Sequence, residues 1–305
     1  MREDQLRALV DARVGGQRRI TELAAARRRP ASLLDEQGRL MIIALDHPAR
    51  GALRAGTRPL AMADRIDLLD RLCTALARPR VTGVLGTADI LEDLLLLGVL
   101  DDKVVFGSMN RGGLAGTVFE MDDRFTGYTA AGIERMGFAG GKMLLRIDPD
   151  DPLTVNTLEA CGRAIGELAA RGLIAMVEPF LSHRVEGRIR NDLTAEAMIR
   201  VVSVAAGLGD TAAYTWLKLP VVDDLERVMA ATTMPALILG GEVGADPQAV
   251  LAGWRRALAL PTVKGLVVGR ALLYPPDDDV AGAVDAAVGL LNRDDRPPAD
   301  GGTRP

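Results

Sequence analysis

Eight short apolar runs, each followed by a segment of helical length, are the feature of this sequence that most limits its fold. The runs are rich in valine, isoleucine and leucine, and their apolar residues are continuous rather than alternating with polar ones. Continuous runs of this kind are typical of parallel strands that helices cover on both faces. The predicted strands occupy residues 40–45, 81–86, 103–108, 142–147, 173–178, 214–219, 236–240 and 265–269.

The segments between these runs have apolar residues at helical spacing. Eight strand–helix units over about 250 residues are the size and pattern of a TIM (β/α)8 barrel, which is the predicted fold. The alternative is an open doubly wound sheet, which normally carries G-x-G-x-x-G after its first strand, and L-D-H-P-A-R-G (45–51) does not match. The predicted helices cover residues 59–78, 87–98, 127–137, 153–171, 194–206, 222–231, 246–258 and 278–292.

The two ends of the chain differ from this repeating pattern. Residues 4–29 predict one or two amphipathic helices, which end at the basic run 27–29 because Pro30 cannot continue a helix. This basic run has the charge to bind an anion, but a solvated helix end is the favoured interpretation. The predicted domains are an N-terminal helical extension over 1–35, a barrel over 36–292 and a disordered tail over 293–305.

Composition excludes several classes of partner. The net charge is −4 and the isoelectric point is near 5.4, so neither nucleic acid nor an anionic membrane is expected as the main partner. The sequence contains neither a signal-peptide core nor a stretch of about 18 apolar residues. Its two cysteines, Cys73 and Cys161, lie in helical patterns and do not suggest a disulfide framework. We therefore expect a cytoplasmic protein.

Charged residues occur at the carboxyl ends of the predicted strands, where TIM barrels carry their active sites. Asp46 follows the first strand, Lys142 and Arg146 lie in the fourth, Glu178 ends the fifth and Lys218 lies in the sixth. Because side chains alternate between the two faces of a strand, Glu178 falls on the face of Met176 and Lys218 on the face of Trp216. If these faces are turned toward the barrel axis, two lysines and two carboxylates converge on one cavity.

The lysine of the sixth strand has two interpretations. Burial beside a second cation, such as Lys142, lowers the pKa of a lysine, and the neutral amine then attacks a carbonyl carbon to form a Schiff base. A carboxylate such as Glu178 can move the protons of that reaction. The alternative is that Lys218 only neutralises Glu178 in a buried ion pair.

Glycines after the last two strands predict a phosphate site. Gly240 and Gly241 follow the seventh strand, and Gly269 and Arg270 follow the eighth. Backbone N–H groups approach a phosphate closely at these strand ends of many TIM barrels, and glycine removes the side chains that would obstruct the approach. Arg270 adds a charge-assisted hydrogen-bond donor.

Two other groups of polar residues have more than one interpretation. His47 and His183, with nearby carboxylates, have the donor atoms for a divalent metal, but their separation along the chain favours a hydrogen-bonding role, and no metal is expected. The acidic stretch F-E-M-D-D-R-F (119–125) is favoured as a solvated loop. The alternative is that Glu120 or Asp122 reaches the mouth of the barrel.

The order of these motifs resembles the class I aldolases of the TIM-barrel type. The matching elements are G-G-K-M-L-L-R-I-D, M-V-E-P-F, W-L-K-L-P-V, L-I-L-G-G-E-V and G-L-V-V-G-R-A-L, within roughly residues 40–290. The likeness is greatest to tagatose-1,6-bisphosphate and sulfofructose-phosphate aldolases, and weaker to the archaeal-type fructose-bisphosphate aldolases and deoxyribose-phosphate aldolases. It points to an actinobacterial branch, with 2-deoxy-5-keto-gluconate 6-phosphate from inositol breakdown among the implied substrates.

The resemblance implies a Schiff base on Lys218 and no cofactor. It further implies acid–base and orienting roles for Glu178 and Lys142, hydroxyl binding by Asp46, and phosphate or sulfonate binding by Gly241, Gly269 and Arg270. Three departures from the family pattern bear on the substrate. His47 is followed by Pro48 rather than by glycine, Arg146 replaces a tyrosine, and the loop 183–192 is unusually basic. We therefore count His47, Arg146 and His183 among the predicted substrate-binding residues.

The predicted function is that of a metal-independent class I aldolase that cleaves a phosphorylated keto sugar or keto sugar acid. Its expected partner is a phosphorylated or sulfonated small-molecule sugar. A homo-oligomer is expected, with the N-terminal helices as candidates for subunit contact. Two alternatives stay open, namely a metal-dependent lyase or isomerase that uses His47 and His183, and a non-catalytic barrel that binds phosphosugars.

Overall fold

Eight parallel strands close into a barrel, and the TIM (β/α)8 fold predicted from the sequence is confirmed. A computed structural model describes residues 3–241 and 246–292 of the chain. Neighbouring strands pair in the order β1-β2-β3-β4-β5-β7-β8-β9, and β9 pairs with β1 to close the barrel. The strands are β1 Leu40–Leu45, β2 Gly83–Gly86, β3 Val104–Ser108, β4 Gly140–Ile147, β5 Ile174–Val185, β6 Arg188–Asp192, β7 Thr215–Leu219, β8 Ala236–Leu239 and β9 Val263–Val268.

Helices surround this barrel and also precede it. The predicted helix 59–78 is shorter than expected and begins at Arg65, because the Asp64 side chain accepts hydrogen bonds from the backbone N–H groups of Ile66 and Asp67 and so caps it. The tail predicted over 293–305 lies outside the described residues. The helices are α1 Glu3–Gly15, α2 Gln17–Ala26, α3 Arg65–Leu76, α4 Ala88–Leu96, α5 Ala130–Arg135, α6 Leu153–Ala169, α7 Ala195–Ala206, α8 Leu225–Ala230, α9 Pro247–Leu258, α10 Arg270–Leu273 and α11 Val280–Gly289.

The interior of the barrel changes from apolar to charged along its axis. Ile42, Phe106 and Met176 belong to an apolar cluster inside the barrel, and Trp216 packs against it. Two residues further along β5 and β7, on the same faces, stand Glu178 and Lys218. The period-2 alternation of side chains therefore delivers these charged groups to the carboxyl ends of the strands.

The basic run at the end of α2 differs from its prediction as a solvated helix end. Arg27 is buried, and its guanidinium donates hydrogen bonds to the backbone carbonyls of Leu100, Lys103 and Gly137. Arg28, by contrast, is exposed and forms a surface salt bridge with Asp102. Arg27 thus ties the N-terminal helices to loops of the barrel.

The segment 183–192 forms a β-hairpin, although the sequence analysis treated it as a loop. Strands β5 and β6 pair in antiparallel fashion, and only Glu186 and Gly187 lie between the paired residues Val185 and Arg188. Both turn residues have positive φ, +51° and +75°, as a type I′ turn requires. The hairpin extends past the barrel rim, and its residues Ile189, Arg190 and Asn191 line the cavity there.

Two other expectations concern the cysteines, which suggest no disulfide framework, and the lack of a segment long and apolar enough to span a membrane. Cys73 and Cys161 are free thiols. None of the helices in the described part of the chain has both the length and the apolar character needed to cross a membrane.

Candidate active site

A cavity of about 490 Å³ opens at the carboxyl ends of the barrel strands. Every strand of the barrel except β2 contributes to its wall, directly or through the residues that follow it. Ten of the eleven predicted site residues line this cavity, namely Asp46, His47, Lys142, Arg146, Glu178, Lys218, Gly240, Gly241, Gly269 and Arg270. The eleventh, His183, does not line it.

Two lysines share one carboxylate in the wall of this cavity. Lys142 Nζ lies 2.5 Å from Glu178 Oε2, and Lys218 Nζ lies 3.0 Å from Glu178 Oε1. Lys142 is 1% exposed and Lys218 is 4% exposed. The side chains are held this way because β4, β5 and β7 are neighbouring strands. In the sheet register, Met176 of β5 pairs with Lys142 of β4 on one side and with Trp216 of β7 on the other.

The close packing of charges shifts the pKa values of this group. Burial alone would raise the pKa of Glu178, but the ammonium groups of Lys142 and Lys218 outweigh it and hold the pKa well below its usual range. The pKa of Lys142 falls to about 8, because burial and the positive charge of Arg111 outweigh the attraction of Asp46 and Glu178. Lys142 is therefore able to exchange its proton near neutral pH.

Asp46 contacts three polar side chains, Lys142, Arg111 and Ser108. Its Oδ2 lies 3.2 Å from Lys142 Nζ and 2.7 Å from Arg111 Nη2, and it accepts a hydrogen bond of 3.0 Å from Ser108 Oγ. Although burial opposes it, the charges of Arg111 and Lys142 hold the pKa of Asp46 well below its usual range. Arg111 was not among the predicted site residues, although its place just after a strand was a signal for it.

The two histidines occupy different places, one in the cavity wall and one outside its lining. His47 lines the cavity, and burial lowers its pKa to about 3 despite the nearby charge of Asp46, so the imidazole is neutral. His183 lies outside the cavity lining, with Nδ1 3.5 Å from Asp148 Oδ1. Within residues 3–241 and 246–292 no group of three or more His, Cys, Asp or Glu side chains is placed to hold a metal ion.

The glycines at the ends of β8 and β9 have a packing reason for being glycine. A Cβ on Gly240 would lie 2.4 Å from a methyl carbon of Val268, and one on Gly269 would lie 2.2 Å from the carbonyl oxygen of Ala44. Gly241 has open space around it and a φ of +65°, which favours glycine. Close packing at the rim therefore accounts for two of the three glycines without any bound anion.

The acidic stretch 119–125 divides between the cavity and the surface. Glu120 lines the cavity, and its Oε1 lies 2.6 Å from Arg146 Nη1 and 3.0 Å from Arg50 Nη2. Asp122 instead pairs with the exposed Arg124. The interpretation of the stretch as a solvated loop was wrong for Glu120, and neither Glu120 nor Arg50 was among the predicted site residues.

Lysine is otherwise rare in this chain. The sequence has only four lysines against 33 arginines, so the positive charge of the surface is supplied almost entirely by arginine. Two of the four lysines, Lys142 and Lys218, lie in this one cavity. Arginine stays charged at any ordinary pH, whereas a buried lysine can lose its proton, so the two side chains are not interchangeable here.

Comparison with known protein families and solved structures gives close and distant relatives. The model of the Cgl0159-like family matches residues 38–288. The crystal structure of Cgl0159 from Corynebacterium glutamicum is 52% identical in sequence and superposes with a TM-score of 0.93, covering 96% of this chain and 99% of that one. No curated protein sequence matches the chain.

Two archaeal structures share the fold at much lower identity. A fructose 1,6-bisphosphate aldolase is 17% identical, with a TM-score of 0.63, and the match covers 89% of this chain and 98% of the aldolase. Another, with its catalytic lysine covalently bound to the carbinolamine intermediate, is also 17% identical, with a TM-score of 0.60 and coverage of 89% and 99%. At 17% identity, this likeness shows a shared fold alone.

Proposed function

The chain belongs to the Cgl0159-like family, and we propose that it is a class I aldolase that forms a Schiff base through Lys218. The substrate class is a phosphorylated keto sugar or keto sugar acid, such as 2-deoxy-5-keto-gluconate 6-phosphate. The observation that carries the proposal is the pair of buried lysines, which share Glu178 at the wall of an open cavity. An ion pair that served stability alone would need neither a second lysine nor open space beside it.

Lys218 is the better candidate for the nucleophile than Lys142. Lys142 contacts two carboxylates, Asp46 and Glu178, and is 1% exposed. Within the part of the chain that the structure describes, Lys218 has a salt bridge only with Glu178. An amine that attacks a carbonyl must leave its partner, and Lys218 has one partner to leave.

The first half of the reaction builds the imine. Lys218 transfers a proton to Glu178, 3.0 Å away, and its nitrogen lone pair attacks the ketone carbon. The resulting carbinolamine takes up a proton at its oxygen and loses water. This leaves a protonated imine, which withdraws electrons from the neighbouring carbon–carbon bond.

The second half breaks that bond. The carbon at the far end of this bond carries a hydroxyl group, and that hydroxyl loses its proton. The electrons of the carbon–carbon bond then move into the imine to give an enamine, and the far carbon leaves as an aldehyde. We assign this proton transfer to Lys142 and Glu178, since the Lys142 pKa of about 8 is close to working pH. The enamine then takes a proton at carbon, and water hydrolyses the imine to release the ketone and restore Lys218.

Asp46 has a different role in this scheme. Its contacts with Arg111, Lys142 and Ser108 hold it ionised and fixed in place throughout the reaction. As a fixed negative charge beside Lys142, it orients that ammonium and accepts a hydrogen bond from a substrate hydroxyl. His47, neutral in the cavity wall, is able to donate or accept a hydrogen bond to the substrate.

The test is turnover by lysine variants. The wild type is incubated with phosphorylated keto sugars and keto sugar acids, and the release of two carbonyl fragments is followed with and without a chelator. Lys218→Arg keeps the charge and removes the nucleophile, so we expect its rate to fall at least 10³-fold. The matched control is Lys264→Arg, whose lysine donates to the carbonyl of Pro261 outside the cavity and whose rate should equal the wild type's.

Three results would count against the proposal. Turnover that survives in Lys218→Arg would exclude Lys218 as the covalent residue. Turnover that stops with chelator and returns with a divalent ion would favour metal-dependent chemistry instead. Binding of a sugar phosphate, seen as a raised melting temperature, with no cleavage of any candidate would indicate a binding protein.

A further inference from the structure

We propose that Arg50 and Arg146, held in place by Glu120, form a second anion site, which binds an acidic group at the end of the substrate remote from the phosphate predicted near Arg270. The inference deepens the proposed function and rests on it only for the statement that the bound molecule is a substrate. It therefore limits the substrate to molecules with an anionic group at each end.

The two arginines converge on one carboxylate oxygen. Arg146 Nη1 and Arg50 Nη2 both contact Glu120 Oε1, at 2.6 and 3.0 Å. Arg146 Nη2 also donates to the backbone carbonyl of Glu120, and Arg50 Nε donates to the carbonyl of Gly113. Glu120 is itself fixed, because its Oε2 accepts a hydrogen bond from the backbone N–H of Gly116. Glu120 is thus a positioning residue for both guanidinium groups.

The hydrogen-bond donors of the arginines are only partly used. A guanidinium has five N–H donors, and Arg50 and Arg146 each make two hydrogen bonds within the described residues, which leaves three donors on each. Arg146 is 4% exposed, and its buried Nε–H has no partner within the described residues. Buried donors are nearly always satisfied by protein, water or ligand, so Arg146 has a donor left to satisfy, and Arg50 lines the same cavity beside it.

The local charge also favours an incoming anion. The pKa of Arg50 falls to about 10, because burial and the positive charges of Arg146 and Arg111 outweigh the attraction of Asp123 and Glu120. Cations therefore predominate around Arg50 even though two carboxylates are nearby. A substrate anion in the cavity would relieve this imbalance, whereas a neutral group would not.

The topology of the barrel sets the distance between the two anion sites. Arg146 lies on β4, and Gly269 and Arg270 follow β9, which is four strands from β4 in either direction around the barrel. Lys218 lies on β7, two strands from each. A barrel of eight strands, 4.8 Å apart and tilted by 36°, is about 15 Å across between backbones. The reacting carbonyl would thus lie between the two ends of a linear ligand with one anionic group at each end, which we call a dianion whatever the charge on each group.

The chemistry of the second anionic group is a carboxylate or a phosphate. Guanidinium forks bind both, and a planar carboxylate matches them in two parallel hydrogen bonds. Two classes of substrate follow, a keto sugar acid phosphate and a keto sugar bisphosphate. Both share a chain with an anion at each end, and a sugar monophosphate lacks the second contact.

The experiment compares sugar alcohols and acids that have no keto group, so that no Schiff base forms. Dissociation constants of gluconate 6-phosphate, glucitol 1,6-bisphosphate and glucitol 6-phosphate are measured by titration calorimetry. We expect at least one of the two dianions to bind at least tenfold tighter than the monophosphate, since charge-assisted hydrogen bonds are worth about that much. Which dianion gains more identifies the group as carboxylate or phosphate.

Variants then assign the gain to the two arginines. In Arg146→Gln and Arg50→Gln the preference for the dianion should disappear, so that the dianion and glucitol 6-phosphate have dissociation constants in a ratio of about one. The dissociation constant of glucitol 6-phosphate itself should stay within about threefold of the wild-type value. Arg270→Gln should weaken all three ligands. Each single variant leaves Glu120 paired with the remaining arginine, and an unchanged melting temperature verifies the fold.

Two outcomes would overturn the inference. Neither dianion binding better than glucitol 6-phosphate in the wild type would show that the cavity has one anion site. A dianion preference that persists in both Arg146→Gln and Arg50→Gln would place the second site elsewhere. Because the ligands have no ketone, these results are independent of whether Lys218 forms an imine, and the two proposals can fail separately.

Discussion

Replacement of Glu178 by glutamine tests the charge arrangement of the cavity most severely. The carboxylate lies 2.5 Å from Lys142 Nζ and 3.0 Å from Lys218 Nζ. At an effective dielectric constant of 20, a pair of unit charges at 3.0 Å interacts by about 5 kcal/mol before the cost of desolvation. Removing one partner from a buried ion pair typically costs about 3–5 kcal/mol. We expect Glu178→Gln to lower the free energy of unfolding by that amount at pH 7.

The loss should depend on pH in a defined direction. The low pKa of Glu178 means that its contribution is complete above the ordinary carboxyl pKa, so the wild type has all of it at pH 7. In the variant the pKa of Lys142 falls further below 8. The native variant then loses the Lys142 proton below pH 8, where the native wild type still holds it, so between pH 7 and about pH 8 the variant gains stability relative to the wild type. The deficit relative to the wild type should therefore shrink by about 1 kcal/mol from pH 7 to pH 9.5, with most of the change below about pH 8.

Urea unfolding at the two pH values measures this directly. The matched control is Glu134→Gln, which removes a surface partner of Arg171 at 3.4 Å and should cost less than about 1 kcal/mol at both pH values. A Glu178→Gln variant that loses no more than the control, or one whose loss is the same at pH 7 and pH 9.5, would refute the reasoning.

Three further predictions concern the frame of the barrel and its response to acid. Gly140→Ala should lower the free energy of unfolding in urea by at least about 3 kcal/mol or prevent folding, because the new Cβ would lie 2.1 Å from the carbonyl oxygen of Ile174 in the neighbouring strand. A variant as stable as the wild type would contradict this. Arg27→Met should lower the melting temperature, at a cost of about 2–4 kcal/mol, because one buried and two part-buried carbonyls lose their charged donor. An unchanged melting temperature would show that water replaces that donor. The native pKa of His47 is about 3, so between pH 6.5 and 3 the unfolded chain binds a proton that the native state does not. The free energy of unfolding therefore falls with decreasing pH by up to about 1.4 kcal/mol per pH unit. His47→Asn should reduce that slope in urea unfolding, and an identical slope would show that the imidazole is not held neutral.

Strand periodicity made part of this site predictable. Glu178 and Lys218 lie two residues beyond Met176 and Trp216, so a rule about alternating faces was enough to bring them together once the barrel was recognised. The hairpin 183–192 has a weaker signal in the sequence, because Gly187 suits the second position of a type I′ turn but Glu186 is not a residue that this turn favours.

Other parts of the site depend on contacts that have no local signal. Glu120 meets Arg146 across 26 residues and Arg50 across 70, and all the intervening packing decides that meeting. Arg27 is buried only because carbonyls from two barrel loops converge on it, whereas its neighbour Arg28 meets carboxylates at the surface. Propensity and periodicity describe single elements, so they do not foresee side chains whose partners come from distant loops.

The central claim, that one amine becomes covalently bound to a carbonyl carbon, is tested most directly by borohydride trapping. The protein is reduced in the presence of 2-deoxy-5-keto-gluconate 6-phosphate or another keto sugar phosphate and digested with a protease that cleaves after lysine. With cleavage sites only at Lys103, Lys142, Lys218 and Lys264, modification of Lys218 produces an uncut fragment 143–264 that carries the mass of the ketone less one oxygen. We predict that modified fragment in the wild type. Lys218→Arg also lacks the cleavage site at 218, so it should give fragment 143–264 without the added mass. A modified fragment 104–218 would place the imine on Lys142, and a digest without any adduct from a substrate that is turned over would contradict the account.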